Sequence, residues 1–236
     1  MKKTLSIADP TIAQVLERFL DDQAKRLKPQ TLSQYQSIIE LLQHSLNGYA
    51  YQYLDKDESM LLDRLEKEQR LEFCQVFGPE KILPNIDEFL GYFMVRKVMA
   101  GKDLLRAAGT VTKKLARWLA EHGYAEAEEV EDAMERGAEA ARDLPKAEDL
   151  AERLWRFVDD QEPTPVLEEI DDYFSITRVE LGKIWLSPLT RKGEIGPFVV
   201  PRSISDRCVV GWNVSLRVGR TARGWRILEV GNVYPL

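Results

Sequence analysis

WNVSLRVGRTARGWRILEV, residues 212–230, decides how the C-terminal part of this chain folds. Val214, Leu216 and Val218 alternate with Ser215 and Arg217, so one face of an extended segment is apolar and the other polar. Ile227 alternates in the same way with Arg226 and Leu228. The segment from Gly219 to Gly224 joins the two runs, and a Gly-bounded connection between alternating runs is the pattern of a β-hairpin. The spacing predicts that Arg217 and Arg226 share the outer face, with Arg220 and Arg223 on the joining loop.

The same period of two spreads back along the tail. Phe174, Ile176 and Val179 open it, Lys183-Ile184-Trp185-Leu186 runs to Ser187-Pro188, and Gly193 and Gly196 bracket a turn before Phe198-Val199-Val200. Ser203 to Asp206 reads as a turn or helical loop. About five short strands in so short a segment bury enough surface only by curling closed. A small OB-like or SH3-like β-barrel over 173–236 is therefore expected, and no motif separates the two. Trp185, Trp212 and Trp225 offer stacking surfaces beside the arginines, as in single-strand binders. The alternative is that they fill the barrel.

Charge divides the chain as sharply. The formal net charge of -6 hides a tail from Tyr173 onward with 10 Lys/Arg against 4 Asp/Glu, while residues 126–172 hold 18 acids and 5 bases. A basic, strand-patterned module after an acidic segment points to separate partners for each. Lys183, Arg217, Arg220, Arg223 and Arg226 are the tail's candidate nucleic-acid contacts.

Upstream of the acidic segment the period changes to that of helices. Ile12, Val15, Leu16, Phe19 and Leu20 form one stripe after Asp9-Pro10, where Asp caps and Pro takes the first helical position. Lys28-Pro29 breaks the chain. A second helix from about Thr31 turns Leu32, Tyr35, Ile39, Leu42 and Leu46 inward and ends at Asn47-Gly48. Leu61, Leu62 and Leu65 suggest another. The spacing of Phe89, Leu90, Phe93 and Met94 predicts a helix from residue 85 or 86 to Met99. After Gly109, Val111, Leu115, Trp118 and Leu119 face one way while Lys113, Lys114 and Arg117 face the other. Short amphipathic helices with brief turns make an orthogonal bundle over residues 8–125.

The order of these signals resembles the N-terminal core-binding (SAM-like) domain of tyrosine recombinases, the phage-integrase group. Phe19, then Lys28-Pro29-Gln30-Thr31-Leu32-Ser33-Gln34-Tyr35, Ile86-Asp87-Glu88-Phe89-Leu90, and Val111 to Leu119 followed by Gly123-Tyr124 carry the likeness. It covers roughly residues 10–125. The resemblance implies a bundle that clamps duplex DNA with basic side chains of its second and last helices, here Lys28, Thr31, Gln34, Lys113, Lys114 and Arg117. Lys and Arg on one helical face can neutralise phosphates without reading sequence, and an ordinary solvated face is the alternative. A recombinase also needs a catalytic domain with a His-Xaa-Xaa-Arg element. Only His44 and His122 occur, neither with Arg three residues on, so recombination by this chain alone is set aside.

Residues 126–172 read as an acidic helical connector. One solvated helix is expected up to Leu144-Pro145, and a second from Ala147 to Val158 with Leu150, Leu154, Trp155 and Val158 in need of cover by the bundle or a second copy. Glu162-Pro163-Thr164-Pro165 makes a stiff joint. If this segment folds back on the basic tail, deleting residues 126–145 should tighten nucleic-acid binding at low salt.

No phosphate-binding Gly-rich loop, zinc spacing or His-Glu-Xaa-Xaa-His element occurs, so no cofactor and no enzymatic activity are expected. Cys74 and Cys208 lie far apart, and the apolar core of a secretory signal is missing after Met1-Lys2-Lys3, which suggests a cytoplasmic protein without a membrane partner. The expectation is an α+β chain that binds nucleic acid, DNA first, without enzymatic activity. A protein-interaction adaptor, docking acidic partners or a second copy of itself, is the alternative.

Overall fold

A computed structural model describes residues 6–235. The chain is α+β: helices come first and a five-stranded mixed sheet closes the sequence. It divides into two compact units, Met1–Val98 with Leu104–Ala141, and Met99–Asp103 with Arg142–Leu236.

The first unit begins with α1 (Ile12–Ala24), whose buried residues Ile12, Val15, Leu16 and Phe19 are the stripe expected from spacing. Its cap is Thr11 rather than Asp9. The Thr11 hydroxyl accepts from the Gln14 N–H, and the Thr11 N–H donates in turn to the Gln14 side-chain oxygen. α2 (Pro29–Tyr49) starts at the proline itself, with Lys28 as its cap residue, and runs past Asn47-Gly48. Phe19 is the hub of this core: Tyr35 stacks on it at 6.1 Å and Trp118 meets it edge-on at 5.6 Å. α3 (Lys56–Gln69) and α4 (Phe73–Val76) follow. The helix expected over 86–99 differs in winding. Residues Glu88–Phe93 form a π-turn before the single turn α5 (Met94–Arg96). There Tyr92 and Phe93 both meet Tyr49 edge-on, at 5.6 and 5.9 Å.

α6 (Lys102–Glu121) begins seven residues before Gly109, which was expected to precede it. Gly109 is buried in mid-helix because a backbone passes there: a Cβ on it would lie 2.3 Å from the Gly137 carbonyl oxygen. Gly137 belongs to α7 (Ala127–Asp159), a continuous helix with Pro145 inside it. The expected interruption at Leu144-Pro145 is thus not a break. Proline removes the bond to the carbonyl four residues back, that of Ala141, and Ala141 is where the first unit ends. Leu144 before the proline and Ala147, Leu150 and Leu154 after it are all buried, so packing holds the helix through its weak point.

In the second unit the strands are β1 (Glu168–Glu180), β2 (Lys183–Pro188), β3 (Ile195–Val199), β4 (Asn213–Thr221) and β5 (Gly224–Tyr234), with the single turn α8 (Arg202–Ser205) between β3 and β4. They close in the order β1-β2-β3-β5-β4, antiparallel except for β3 beside β5. β1 therefore starts five residues before Tyr173, inside the expected connector. The hairpin turn is also shorter than expected. β4 continues through Gly219 to Thr221, leaving Ala222-Arg223 as a two-residue turn. Val214, Leu216, Val218 and Ile227 point into the barrel, as their alternation requires. Leu150 and Leu154 of α7 complete that core with Ile204 and Trp212. Burying each leucine contributes about 1.5–3 kcal/mol. The apolar stripe of residues 147–158 is thus covered by the barrel, and Trp155 stays 59% exposed.

Candidate nucleic-acid interface

Strand register fixes which tail arginines are open. β1 places Glu168 directly opposite Arg220, and β5 places Glu229 directly opposite Arg217. Opposite charges at facing positions pair across antiparallel strands. Arg217 donates to Glu229 at 2.9 Å and to Glu169 at 3.2 Å, and Arg220 to Glu168 at 3.3 Å. These carboxylates raise the guanidinium of Arg217 above its ordinary range, Glu229 most. The expected open face of Arg217 and Arg226, with Arg220 beside it, is not formed. Counting β1, the barrel carries four further acids: Glu168, Glu169, Asp171 and Asp172.

Arg226 is arranged differently. Its Nε donates to the Gln161 amide oxygen at 2.8 Å, with further bonds to Gln161 and to the Thr164 hydroxyl. All of these partners are neutral. Among the described residues, no ion pair joins Arg223, Arg226 or Lys183 to a carboxylate. Arg223 sits at the tip of the two-residue turn, which Thr221 stabilises by donating to the Gly224 carbonyl at 2.9 Å and accepting from the Arg223 N–H at 3.1 Å.

Arg223 and Arg226 line one cleft of about 710 Å³ between the end of α7 with its following segment (Phe157, Gln161, Pro163, Thr164, Pro165) and the β3–β5 seam. Phe198, Val199, Trp225 and Ile227 supply the barrel side, and no Asp or Glu lines it. Trp225 is half-buried there, 6.0 Å from Phe198. Trp185 and Trp212, at 8% and 7% exposure, belong to the barrel wall and core instead. Arg178 lies over the Trp185 ring at 3.7 Å, a cation–π contact that covers it from outside. Lys183 is exposed and pairs in register with Val199, one of the residues that line the cleft.

The helical candidates lie in the first unit. Lys28, the cap residue of α2, and Gln34 are exposed and Thr31 is half-buried, the last two on the first turns of α2. Lys114 and Arg117 are exposed on α6. Lys113 is half-buried, its stem close to Gly137. No hydrogen bond or ion pair links the α2 set to the α6 set among the described residues.

One charged cluster escaped sequence reasoning. Asp149 on α7 accepts from Lys102 at 2.8 Å, Arg153 at 2.8 Å and Arg207 at 2.5 Å. Hydrogen bonds from Arg153 and Lys102 hold its carboxyl far below the usual range. Of these contacts only Asp149–Arg153, at i,i+4 on one helix, left a signal in the sequence. Among the described residues the acids that pair with tail arginines are thus at 149, 168 and 169 and, within the tail, at 180, 194, 206 and 229, not within 126–145. Burial pushes the Cys74 and Cys208 thiols up to about 12, which removes both as nucleophiles at neutral pH. No cluster of metal-ligating side chains occurs among the described residues, and no helix among them is long and apolar enough to cross a membrane. No protein-family model, curated protein or solved structure matches the chain.

Proposed function

We propose that the chain is a nucleic-acid-binding protein without catalytic activity, DNA being the first candidate, and that it works in the cytoplasm. An integrase-like helical module is joined in it to an OB-like barrel. The observation that carries this reading is the cleft at the β3–β5 seam, where Arg223 and Arg226 have no carboxylate partner among the described residues and stand beside a half-buried tryptophan. An isolated guanidinium pair attracts phosphate oxygens more strongly than arginines already committed to Glu168, Glu169 and Glu229. The strand order, the parallel β3–β5 contact and the short helix between β3 and β4 support an OB-like rather than SH3-like barrel. OB folds bind oligonucleotides on the face of strands 2–3 and the loops β1–β2 and β4–β5. Lys183 and Arg223 fall on those elements here. The helical residues Lys28, Thr31, Gln34, Lys113, Lys114 and Arg117 would add phosphate contacts of their own.

The test is anisotropy titration of full-length protein with labelled DNA across a salt series. Phosphate contacts from Lys183, Arg223 and Arg226 should contribute about -2 to -3 to the slope of log K on log salt, and any helical contacts would steepen it further. Arg223→Gln should make it shallower by about one, and Arg217→Gln should leave it nearly unchanged. Equal effects of both substitutions would remove the cleft from the reading. A protein-interaction adaptor is the second reading, favoured by Trp155, 59% exposed beside buried Leu150 and Leu154 and half-buried Val158. Partner binding that is insensitive to salt and lost in Trp155→Ala would favour it.

A further inference from the structure

Resting on the nucleic-acid reading, we infer that the cleft between the Gln161–Pro165 segment and β5 takes an unstacked base of a single strand, with the flanking phosphates on Arg223 and Arg226. Two properties of the cleft have to be satisfied together. Its walls are largely apolar: Trp225 and Val199 (71% exposed) on the barrel side, Phe157 and Pro163 on the other. Its polar edge is cationic, with Arg223 at the rim and Arg226 fixed inside. A purely apolar ligand leaves two guanidinium groups unopposed. A bare polyanion, or the phosphate surface of a duplex, leaves the apolar walls in water. A planar, uncharged ring carried on a phosphate chain meets both demands, and only an unpaired strand can offer one, because duplex bases are stacked and hydrogen-bonded to each other.

The volume agrees, since about 710 Å³ lies within the roughly 300–1,000 Å³ of small-ligand sites. Arg226 reaches the cleft already oriented. Gln161 and Thr164 hold its guanidinium through neutral oxygens, so its charge is not cancelled and its direction is set before a ligand arrives. Lys183 stands in register opposite Val199, a wall residue of the cleft. Base–aromatic stacking contributes about 1–3 kcal/mol per base, so Trp225 should account for most of the preference for a strand with bases over one without.

Four ligands at one low salt concentration test this on the full chain: a single-stranded DNA of about 16 nucleotides, the same strand in RNA, the same sequence as duplex, and an abasic DNA strand of equal length. Either single strand should bind about fivefold or more tighter than abasic strand and duplex. Trp225→Leu should bring the single-strand and abasic affinities together while keeping the salt slope, with an unchanged far-UV spectrum as the folding check. Wild-type protein needs no folding check, so equal affinity for single strand, duplex and abasic strand overturns the inference while leaving phosphate binding in place. Failure to bind any of the four overturns the nucleic-acid reading and this inference with it.

Discussion

Replacing Gly109 by alanine sets two effects of opposite sign against each other, and the geometry decides between them. In the interior of a helix, alanine is favoured over glycine by about 1 kcal/mol. Propensity alone therefore predicts a more stable protein. At Gly109 the added Cβ would lie 2.3 Å from the Gly137 carbonyl oxygen, 2.4 Å from the Ala141 nitrogen and 3.0 Å from the Ala141 Cα. Those are backbone atoms of a neighbouring helix, so no side chain can swing aside. α6 and α7 would have to separate by the order of an ångström, which also loosens Val111, Leu115 and Ala108 along the buried side of α6. Overpacking of this kind costs about 1–3 kcal/mol, and the lost contacts add to it. Gly109→Ala should be destabilised by about 1–2 kcal/mol after the propensity gain is subtracted. With a urea dependence of about 1–3 kcal/mol per molar, the midpoint should fall by roughly half to one molar. Urea unfolding followed by far-UV circular dichroism reads it, because the first unit holds much of the helix. Gly48→Ala is the control: Gly48 is exposed near the end of α2 with nothing within 4 Å of a Cβ, and its variant should be slightly stabilised. If Gly109→Ala behaves like Gly48→Ala, the close crossing of α6 and α7 is wrong. The first half of α7 would then lose its place in the bundle.

Asp149→Asn should lower stability at neutral pH by about 1 kcal/mol, the partial exposure of the cluster limiting the loss. The Asp149 carboxyl is depressed on folding, so its contribution is present above the ordinary carboxylate range near pH 4 and fades as pH falls further. A pH series of melting temperatures should therefore show wild type and Asp149→Asn converging in acid. Glu168→Gln with Glu169→Gln and Glu229→Gln should free Arg217 and Arg220 and tighten DNA binding a few-fold at low salt, with the gain vanishing at high salt, as anisotropy would show. Deletion of 126–145 should melt the bundle instead of unmasking the tail, since it removes the α7 residues packed on Gly109; circular dichroism would show the lost helix. Cys74 and Cys208 should react slowly with a thiol reagent in native buffer and rapidly in denaturant, because burial holds both thiols protonated.

What could be read from the sequence was burial pattern, and what could not was proximity. Ile12, Val15, Leu16 and Phe19 repeat at helical spacing, and Val214, Leu216 and Val218 at strand spacing, because each repeat records which side of one element faces the core. Gly109 and Pro145 carry no such record. Both are turn-formers by local rule, yet one sits mid-helix to admit a neighbouring backbone and the other is spanned by packing on both sides. Residues 168–172 misled in a different way. Their acids suggested a solvated linker, although Ile170, Phe174 and Ile176 already keep the period of two. The inward Asp172 fits that period because it binds the Thr190 N–H and hydroxyl and the Tyr173 N–H. The consequence for function is that linear charge asymmetry does not survive folding. The acidic stretch ends as a barrel strand, and its carboxylates land in register opposite the arginines that made the tail look basic. An anion site must then be sought where register brings no acid. β3 and β5 meet in the single pair Phe198–Trp225. That short parallel contact sets no carboxylate across from Arg223 or Arg226, so the seam with the least strand pairing is also where positive charge stays open.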